Sequence, residues 1–363
     1  MMDPTRFVRP DVAAMTGYVP GEQPVASGRL IKLNTNENPS EPPAVILQAL
    51  ARGLETGFRR YPDPGALRLR ETACGVYGYG LTPDRVVVGN GSDDLLTMIM
   101  RTFVDPGDLV AVPGPTYTLY SALTRIQGGI FREIDWNADG GLPVEKLVSL
   151  GPKLVLVVRP NAPTGHCVAL EEVARLCRSL RGMVVLDEAY VDFADGHGLG
   201  LLADHPNLVI IRTFSKSMAM AALRIGLGFM DSRIAREFHK VRDSYNVNAY
   251  SQWAARVALD HHGAYRPIWD EIRSQRSRLT LALRSRRFDV PESQANFILA
   301  RVPTGGMSGG EWLERLKKQG IHVRHFPADP RLADRLRITI GSGEEIDRLL
   351  EVVDALATEG ERS

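Results

Sequence analysis

The sequence of 363 residues has few cysteines and no long apolar run. Its three cysteines (Cys74, Cys167 and Cys177) are scattered and lack the spacing of metal ligands, which fits a reducing compartment. No stretch approaches the ~20 apolar residues that cross a bilayer, and residues 1–10 lack the apolar core of a signal peptide. We therefore expect a cytoplasmic protein that binds no metal ion and no membrane.

An excess of one charge is also missing. Forty-four basic residues stand against 43 acidic ones, for a net charge of +1, and neither sign forms long runs. Nucleic-acid binding needs a concentrated basic face, so the balance argues against that function. Only seven of the basic residues are lysines, so a single lysine in a special context is less easily explained as a random surface charge.

The order of sequence patterns predicts an α/β fold with two domains. Residues 1–45 are rich in Pro and Gly and predict an arm that contributes to the small domain and to a dimer. From Arg85 onward, runs of four or five apolar residues alternate with helical patterns, which predicts a mostly parallel sheet flanked by helices. We assign residues 46–255 to this large domain, and 256–363 to a linking helix and a smaller α+β domain.

The predicted elements can be given by number. Predicted strands of the large domain are 86–88, 109–112, 154–158, 183–186 and 208–211. Predicted helices are 44–54, 67–77, 94–103, 117–126, 171–180 and 251–286. The C-terminal part predicts strand 297–302, helix 311–318, strands 321–324 and 336–340, and helix 344–357.

Polar residues after two predicted strands indicate a catalytic site. Asp187 follows one strand and Lys216 follows the next, and ligands of open α/β sheets bind at the carboxyl ends of strands. The segment Gly89 to Asp93 places glycines and backbone N–H groups at the start of a helix, which suits an anion. Each feature alone is also typical of an ordinary loop or helix cap. Together they match what pyridoxal 5′-phosphate (PLP) requires, namely an amine, an acid for the ring nitrogen and a phosphate site.

Motifs along most of the chain carry a family resemblance. They are Tyr18-Val19-Pro20-Gly21, Leu33-Asn34-Thr35-Asn36-Glu37-Asn38-Pro39, Arg60-Tyr61-Pro62-Asp63-Pro64, Gly89-Asn90-Gly91-Ser92-Asp93, Pro115-Thr116-Tyr117, Pro160-Asn161-Ala162-Pro163-Thr164-Gly165, Asp187-Glu188-Ala189-Tyr190, Ser215-Lys216 with Arg224, and Arg335-Leu336-Arg337-Ile338-Thr339. As a set, from about Arg9 to Ala357, they resemble fold-type I PLP aminotransferases, and among these the histidinol-phosphate aminotransferases.

The resemblance implies roles around the cofactor. Lys216 would carry PLP as a Schiff base and Asp187 would pair with its ring nitrogen. Tyr190 would hydrogen-bond the 3′ oxygen and Tyr117 would stack on the ring. The phosphate would be held by the backbone N–H groups of Ser92 and Asp93, by Ser215 and Arg224 and, from the other subunit of a homodimer, by Tyr61.

One position departs from the family pattern. The asparagine that usually precedes Pro-Thr-Gly, where it contacts the 3′ oxygen, is replaced by Ala162. Either Asn161 substitutes for it from one residue earlier, or Tyr190 makes the contact alone.

The resemblance also implies a substrate site. Arg337 would hold a substrate carboxylate as a bidentate fork, and the residues matching the rest of the substrate site, including its distal end, are Tyr18, Asn34, Tyr245 and Arg324. The implied reaction converts histidinol phosphate and 2-oxoglutarate to imidazole acetol phosphate and glutamate. Because histidinol phosphate has no carboxylate, Arg337 would serve glutamate, while Tyr18 and Arg324 would serve the phosphate.

Three alternatives remain at this point. Two keep the fold and change the reaction: an aromatic amino-acid aminotransferase and a threonine-phosphate decarboxylase. The third is a non-catalytic ligand sensor of a regulator, which normally carries a DNA-binding domain, and none precedes Arg9.

Overall fold

The computed structural model describes residues 2–18, 21–24, 30–53, 57 and 59–360. Several predicted features therefore fall partly outside the described residues. These are Val19 and Pro20 of the first motif, residues 25–29 of the predicted arm, and Leu54 at the end of the first predicted helix.

Helices and strands are interspersed along the described part of the chain. The strands are β1 (Ile31–Lys32), β2 (Val86–Gly89), β3 (Leu109–Gly114), β4 (Ile130–Asp135), β5 (Leu154–Val158), β6 (Met183–Asp187), β7 (Leu208–Thr213), β8 (Gly226–Phe229), β9 (Phe297–Arg301), β10 (Ile321–His322), β11 (Arg324–His325) and β12 (Arg335–Thr339). The helices are α1 (Pro10–Ala14), α2 (Ala44–Ala51), α3 (Leu67–Tyr77), α4 (Ser92–Phe103), α5 (Leu119–Ile126), α6 (Val144–Ser149), α7 (Leu170–Ser179), α8 (Ser232–Val241), α9 (Ala249–Asp260), α10 (Arg266–Ser285), α11 (Gly309–Lys318) and α12 (Gly343–Gly360).

The predicted α/β fold is confirmed by a seven-stranded sheet in the order β2-β8-β7-β6-β5-β3-β4. The five strands from β7 to β4 run parallel, and β8 lies antiparallel between β2 and β7. Side chains of β5 alternate between two apolar clusters, Val155 and Val157 in one, and Leu154, Leu156 and Val158 in the other. Burial on both faces explains why the strand has no polar alternation in the sequence.

Two strands of this sheet have no clear apolar signal. Strand β4 lies at the edge, is largely exposed and carries Arg132, Glu133 and Asp135. Strand β8 consists of Gly-Leu-Gly-Phe, and its two glycines weaken the strand pattern.

The predicted helix 251–286 is wrong as one element, because a 3₁₀ turn at His262–Tyr265 separates α9 from α10.

The C-terminal part contains a three-stranded antiparallel sheet in the order β11-β12-β9, which confirms the smaller α+β unit. The predicted strand 321–324 is divided at Val323 into β10 and β11. Strand β10 pairs in parallel with β1, so that Ile31 lies opposite Ile321. The N-terminal segment is thereby attached to the C-terminal part, while the proposed domain boundaries at residues 45 and 255 stay a prediction.

Candidate active site

Asp187 and Lys216 lie at the carboxyl ends of neighbouring parallel strands. Asp187 is the last residue of β6 and is paired in register with Ile211 of β7. Lys216 follows the end of β7, at Thr213, by three residues. The parallel pairing therefore brings both residues to one edge of the sheet, where open α/β folds bind their ligands.

The Asp187 carboxylate is buried and accepts two hydrogen bonds. Tyr120 Oη donates to Oδ2 at 2.7 Å, and the Ala189 backbone N–H donates to Oδ1 at 3.0 Å. Burial raises the pKa of Asp187 to about 6, although these donors oppose the rise. The carboxylate is thus held in one orientation and lacks a cationic partner among the described residues.

The residues around Lys216 come from the N-terminal segment. Lys216 Nζ donates to the Thr35 carbonyl oxygen at 3.0 Å, and Asn38 Nδ2 donates to the Lys216 carbonyl at 3.0 Å. Burial, with a contribution from Arg337, lowers the pKa of Lys216 to about 8, and Glu37 opposes this change. A neutral amine is therefore accessible near neutral pH, which a nucleophile or general base requires.

An anion cradle forms where α4 begins. Ser92 is the first residue of α4, whose N-cap, Gly91, has a φ of +87° and supplies no side-chain cap. The φ of Gly91 favours glycine, and a Cβ there would lie only 2.6 Å from Arg224 Nη2, so that the guanidinium would have to move away. Arg224 Nη1 donates to Ser215 Oγ at 3.2 Å. Asp93 Oδ2 lies 3.6 Å from Arg224 Nη2, and burial raises the pKa of Asp93.

Tyr190 is buried beside the N-terminal segment. Asn36 Nδ2 donates to Tyr190 Oη at 3.0 Å, and Phe297 meets the Tyr190 ring edge-on at 5.0 Å between centroids. Burial raises the pKa of Tyr190, whereas the charge of Arg337 and the hydrogen bond from Asn36 lower it. The hydroxyl is therefore positioned by a side chain that the sequence did not single out.

Tyr117 joins a chain of edge-on aromatic contacts. Its ring centroid lies 5.7 Å from that of Tyr18 and 5.6 Å from that of Tyr120. Tyr120 in turn bonds Asp187. The arm residue Tyr18 thus contacts the same cluster as the carboxylate at the sheet edge.

The Asn161 side chain connects its own loop with the loop that follows β3. Its Nδ2 donates to the Pro115 carbonyl at 3.0 Å and to Thr164 Oγ1 at 2.8 Å, and its Oδ1 accepts from Thr116 Oγ1 at 3.1 Å. Both amide hydrogens are therefore used within the protein.

Two arginines predicted for substrate binding lie side by side. Arg324 of β11 is in register with Arg337 of β12. The Phe326 ring contacts both guanidinium groups, at 5.6 Å from Arg324 and 5.4 Å from Arg337, and Phe297 lies 5.4 Å from Arg337. Arg337 Nη2 donates to the Asn34 carbonyl at 2.9 Å, while Arg337 Nε is buried and has no hydrogen-bond partner among the residues that the structure describes. The pair forms a cationic site held by aromatic rings.

The loop that carries Phe326 is attached to the edge of the large sheet through Arg331. Arg331 Nη1 donates to Asp135 Oδ1 at 2.6 Å, Nη2 contacts Glu133, and the guanidinium also contacts Asp329. The carboxylates, Asp329 first, raise the pKa of Arg331. These ion pairs connect the C-terminal part with β4.

Tyr61 and Tyr245 form a stacked pair, with ring centroids 4.4 Å apart. Tyr61 is 81% exposed and Tyr245 is 42% exposed. Two large rings are thus presented together on the surface of the chain.

Several residues of this site were missed in the sequence analysis. Thr35 and Asn36 lie in a motif that was noted, but only Asn34 was assigned a role. Tyr120 lies three residues after Tyr117, a spacing that would have placed both on one helical face. Phe326 has no signal in the sequence, because its role depends on the pairing of β11 with β12.

Two kinds of site are not found in the part of the chain that the structure describes. Among those residues no three His, Cys, Asp or Glu side chains are grouped to hold a metal ion. None of the described helices is both long enough and apolar enough to cross a membrane.

Comparison with known proteins gives a consistent result. The family model for aminotransferases of class I and II matches residues 29–353. The chain is 41% identical to a histidinol-phosphate aminotransferase of Microcystis aeruginosa, over 93% of this chain and 95% of the relative. It is 40% identical to a histidinol-phosphate aminotransferase of Synechocystis, over 96% and 98%.

A solved structure has the same fold. It is a histidinol-phosphate aminotransferase from Sinorhizobium meliloti in complex with pyridoxal 5′-phosphate, with a TM-score of 0.84 and 23% identity over 96% of this chain and 98% of that one.

Proposed function

The chain belongs to the class I and II aminotransferases, and we propose that it transfers an amino group from histidinol phosphate to 2-oxoglutarate. The products would be imidazole acetol phosphate and glutamate. The observation that carries this substrate assignment is the name shared by relatives that are about 40% identical over nearly their whole length. These relatives favour neither an aromatic aminotransferase nor a threonine-phosphate decarboxylase.

The residues at the sheet edge fit PLP. The Gly91 cradle brings Arg224 to the uncapped start of α4, where a phosphate would be held by Ser215 and by the first backbone N–H groups of the helix. Asp187 offers a buried carboxylate to a protonated ring nitrogen, and Lys216 offers an amine. When bound, PLP withdraws electrons from the substrate Cα and carries the amino group between the two substrates.

The chemistry assigned to the chain is proton transfer and charge stabilisation. Lys216 Nζ would be the covalent attachment point and, once released, the base that takes the proton from the substrate Cα. Asp187 would hold the proton on the ring nitrogen, and Tyr120 keeps its carboxylate oriented. Tyr117 would pack against the ring, and the hydroxyl of Tyr190 would donate to the 3′ oxygen.

Substrate recognition would use the two neighbouring arginines. Arg337 would bind the α-carboxylate of glutamate, and its unpartnered Nε is one of the donors available for a bidentate contact. Arg324 and Tyr18 would bind the phosphate of histidinol phosphate, and Asn34 would line the site. Because Tyr245 stacks on Tyr61, the tyrosine that would line the site with Asn34 is Tyr245 of the partner subunit. Two adjacent cations suit a site that must accept a carboxylate in one half-reaction and a phosphate in the other.

We further infer a cytoplasmic homodimer in which Tyr61 of the partner subunit reaches the cofactor phosphate. The exposed, stacked pair of Tyr61 and Tyr245 supports such an interface. Mixing a Lys216→Ala chain with a Tyr61→Ala chain should restore activity, because a mixed dimer contains one site with both native residues. A monomer by sedimentation, or no restoration on mixing, would contradict the shared site.

A substrate panel tests the reaction. The purified protein would be given histidinol phosphate, phenylalanine, tyrosine or threonine phosphate, each with 2-oxoglutarate. Histidinol phosphate should have the highest kcat/KM, measured as glutamate formed. Faster turnover of phenylalanine, or release of CO₂ from threonine phosphate, would replace the proposed substrate with the corresponding alternative.

A further inference from the structure

The side chain of Asn36 is oriented so that it donates to Tyr190. The Asn36 backbone N–H donates to Thr339 Oγ1 at 3.0 Å, which leaves the Thr339 hydroxyl hydrogen free to bond Asn36 Oδ1 at 3.3 Å. The amide oxygen therefore faces Thr339, and Nδ2 faces Tyr190 Oη at 3.0 Å. Since Nδ2 can only donate, Tyr190 must accept this bond.

This arrangement decides where the hydroxyl hydrogen of Tyr190 goes. The oxygen already accepts from Asn36, and within the part of the chain that the structure describes no acceptor takes its hydrogen. The hydrogen is thus available to a ligand. A hydroxyl that accepts one hydrogen bond becomes a stronger donor in the next, because the bonds polarise one another.

The backbone conformation of Asn36 does not by itself require an asparagine side chain. Its φ is +56°, in the left-handed region, and the residue is only 2% exposed. Asn296 Nδ2 also donates to the Asn36 carbonyl at 3.0 Å, while Thr339 holds the Asn36 N–H and amide oxygen independently of that bond. Glycine would adopt this backbone conformation without steric cost, so the side chain is what the asparagine adds.

The side chains at positions 161 and 162 offer no free hydrogen-bond donor to the 3′ oxygen of PLP. Ala162 has no polar side-chain atom, and both amide hydrogens of Asn161 are bound to Pro115 and Thr164. We propose that Asn36 is a positioning residue that strengthens Tyr190 as the hydrogen-bond donor to the 3′ oxygen of PLP, in place of the amide absent at position 162. This inference rests on the proposed function.

The pH dependence of the absorbance of bound PLP provides the test. A donor to the 3′ oxygen stabilises its anionic form, so a weaker donor should raise the pH at which the bound cofactor loses its proton. Asn36→Gly keeps the left-handed backbone and removes the amide, and should raise this midpoint by about half to one pH unit. Asn36→Asp puts an acceptor where the donor was, so that Tyr190 would donate to Asp. Its shift should be larger and close to that of Tyr190→Phe.

Two controls distinguish this role from a purely structural role of Asn36. Asn296→Ala removes another bond to Asn36 but leaves its amide in place, so it should lower Tm without moving the midpoint. In a Tyr190→Phe background, Asn36→Gly should cause no further shift, because the two changes act through one bond. In apoprotein with ¹³C-labelled tyrosine, Asn36→Gly should also raise the pKa of Tyr190.

The results that would contradict the role of Asn36 differ from those that would contradict the proposed function. An unchanged midpoint in Asn36→Gly, or an equal shift with and without the Tyr190 hydroxyl, would overturn the role of Asn36 and leave the aminotransferase intact. A parent protein that takes up no PLP would instead contradict the proposed function, and this inference with it.

Discussion

The proposed cofactor end and the proposed substrate end of the site are built from different contacts. At the cofactor end, Asp187 and Tyr120 are buried and bonded at 2.7 Å on the rigid edge of the sheet. At the substrate end, Arg324 and Arg337 are held by the ring of Phe326, on a loop whose ion pairs through Arg331 are partly exposed.

This difference in contacts matches the roles proposed for the two ends. Charge develops at the same cofactor atoms in both half-reactions, and fixed, buried groups stabilise it without reorganisation. The substrate end must accept two molecules of different shape. Half-exposed ion pairs, each contributing under ~1 kcal/mol, and non-directional aromatic contacts would allow it to adjust. Substitutions at the cofactor end should therefore cost more than those at the substrate end.

The largest effect is expected at Lys216. Lys216→Ala removes the attachment point and the base, and loss of the base alone typically costs about 10²–10⁴-fold in rate. In the parent protein, borohydride should fix PLP to the peptide that contains Lys216, as mass spectrometry can show. Labelling of another lysine, such as Lys240, would disprove the assignment.

Asp187→Asn should retain the cofactor and lose about a thousandfold in kcat, because the amide cannot hold the ring proton as an ion pair. Near wild-type turnover would refute this role.

The same substitution should make the apoprotein more stable at pH 7. Burial raises the pKa of Asp187 from 3.8 to about 6, so the folded state binds the proton more tightly than the unfolded state. Stability is therefore lost as pH rises from about 4 to 6, up to about 3 kcal/mol. Asp187→Asn should regain this at pH 7 and little at pH 4, as urea unfolding can measure. A variant less stable than the parent at pH 7 would contradict the expectation that burial destabilises the Asp187 carboxylate.

A smaller loss is expected at the substrate end. Truncating an arginine that pairs with a shielded phosphate costs ~2–5 kcal/mol, so Arg324→Ala should lower kcat/KM for histidinol phosphate by roughly thirtyfold or more. The half-reaction with glutamate should suffer less, since Arg337 is assigned to its carboxylate. An equal fall in both would mean that Arg324 only supports the fold.

The smallest effect is expected for the loop attachment. Arg331→Ala should raise KM by a few-fold and leave kcat nearly unchanged, because each partly exposed ion pair is weak. Arg348→Ala, which breaks a surface pair with Glu351, is the matched control. A fall in kcat with unchanged KM would contradict an adjustable substrate end.

The sequence predicted best what depends on local pattern. The apolar runs of β5 and β7 are confirmed as strands because burial on both faces leaves a continuous signal. Strand β4 was missed since an exposed edge carries charge, and the break after α9 was missed since the helical pattern continues through it.

For the site, the sequence could place Asp187 and Lys216 on one edge because parallel strands follow a topological rule. It could not show that Asn36 bonds Tyr190 across 154 positions, or that Phe326 contacts two arginines. Such contacts depend on backbone angles and strand register that no local motif encodes.

The pairing of β1 with β10 has a consequence for the order of folding. Ile31 is made early on the ribosome, yet its partner Ile321 is made 290 residues later. The strands of the large sheet lie between residues 86 and 229 and can pair before that. Because chains generally fold as they emerge, we expect the central sheet to form co-translationally, while the N-terminal segment with Asn36 docks only after Ile321 has been made. Docking of that segment should therefore be lost in a chain shortened to end before β10.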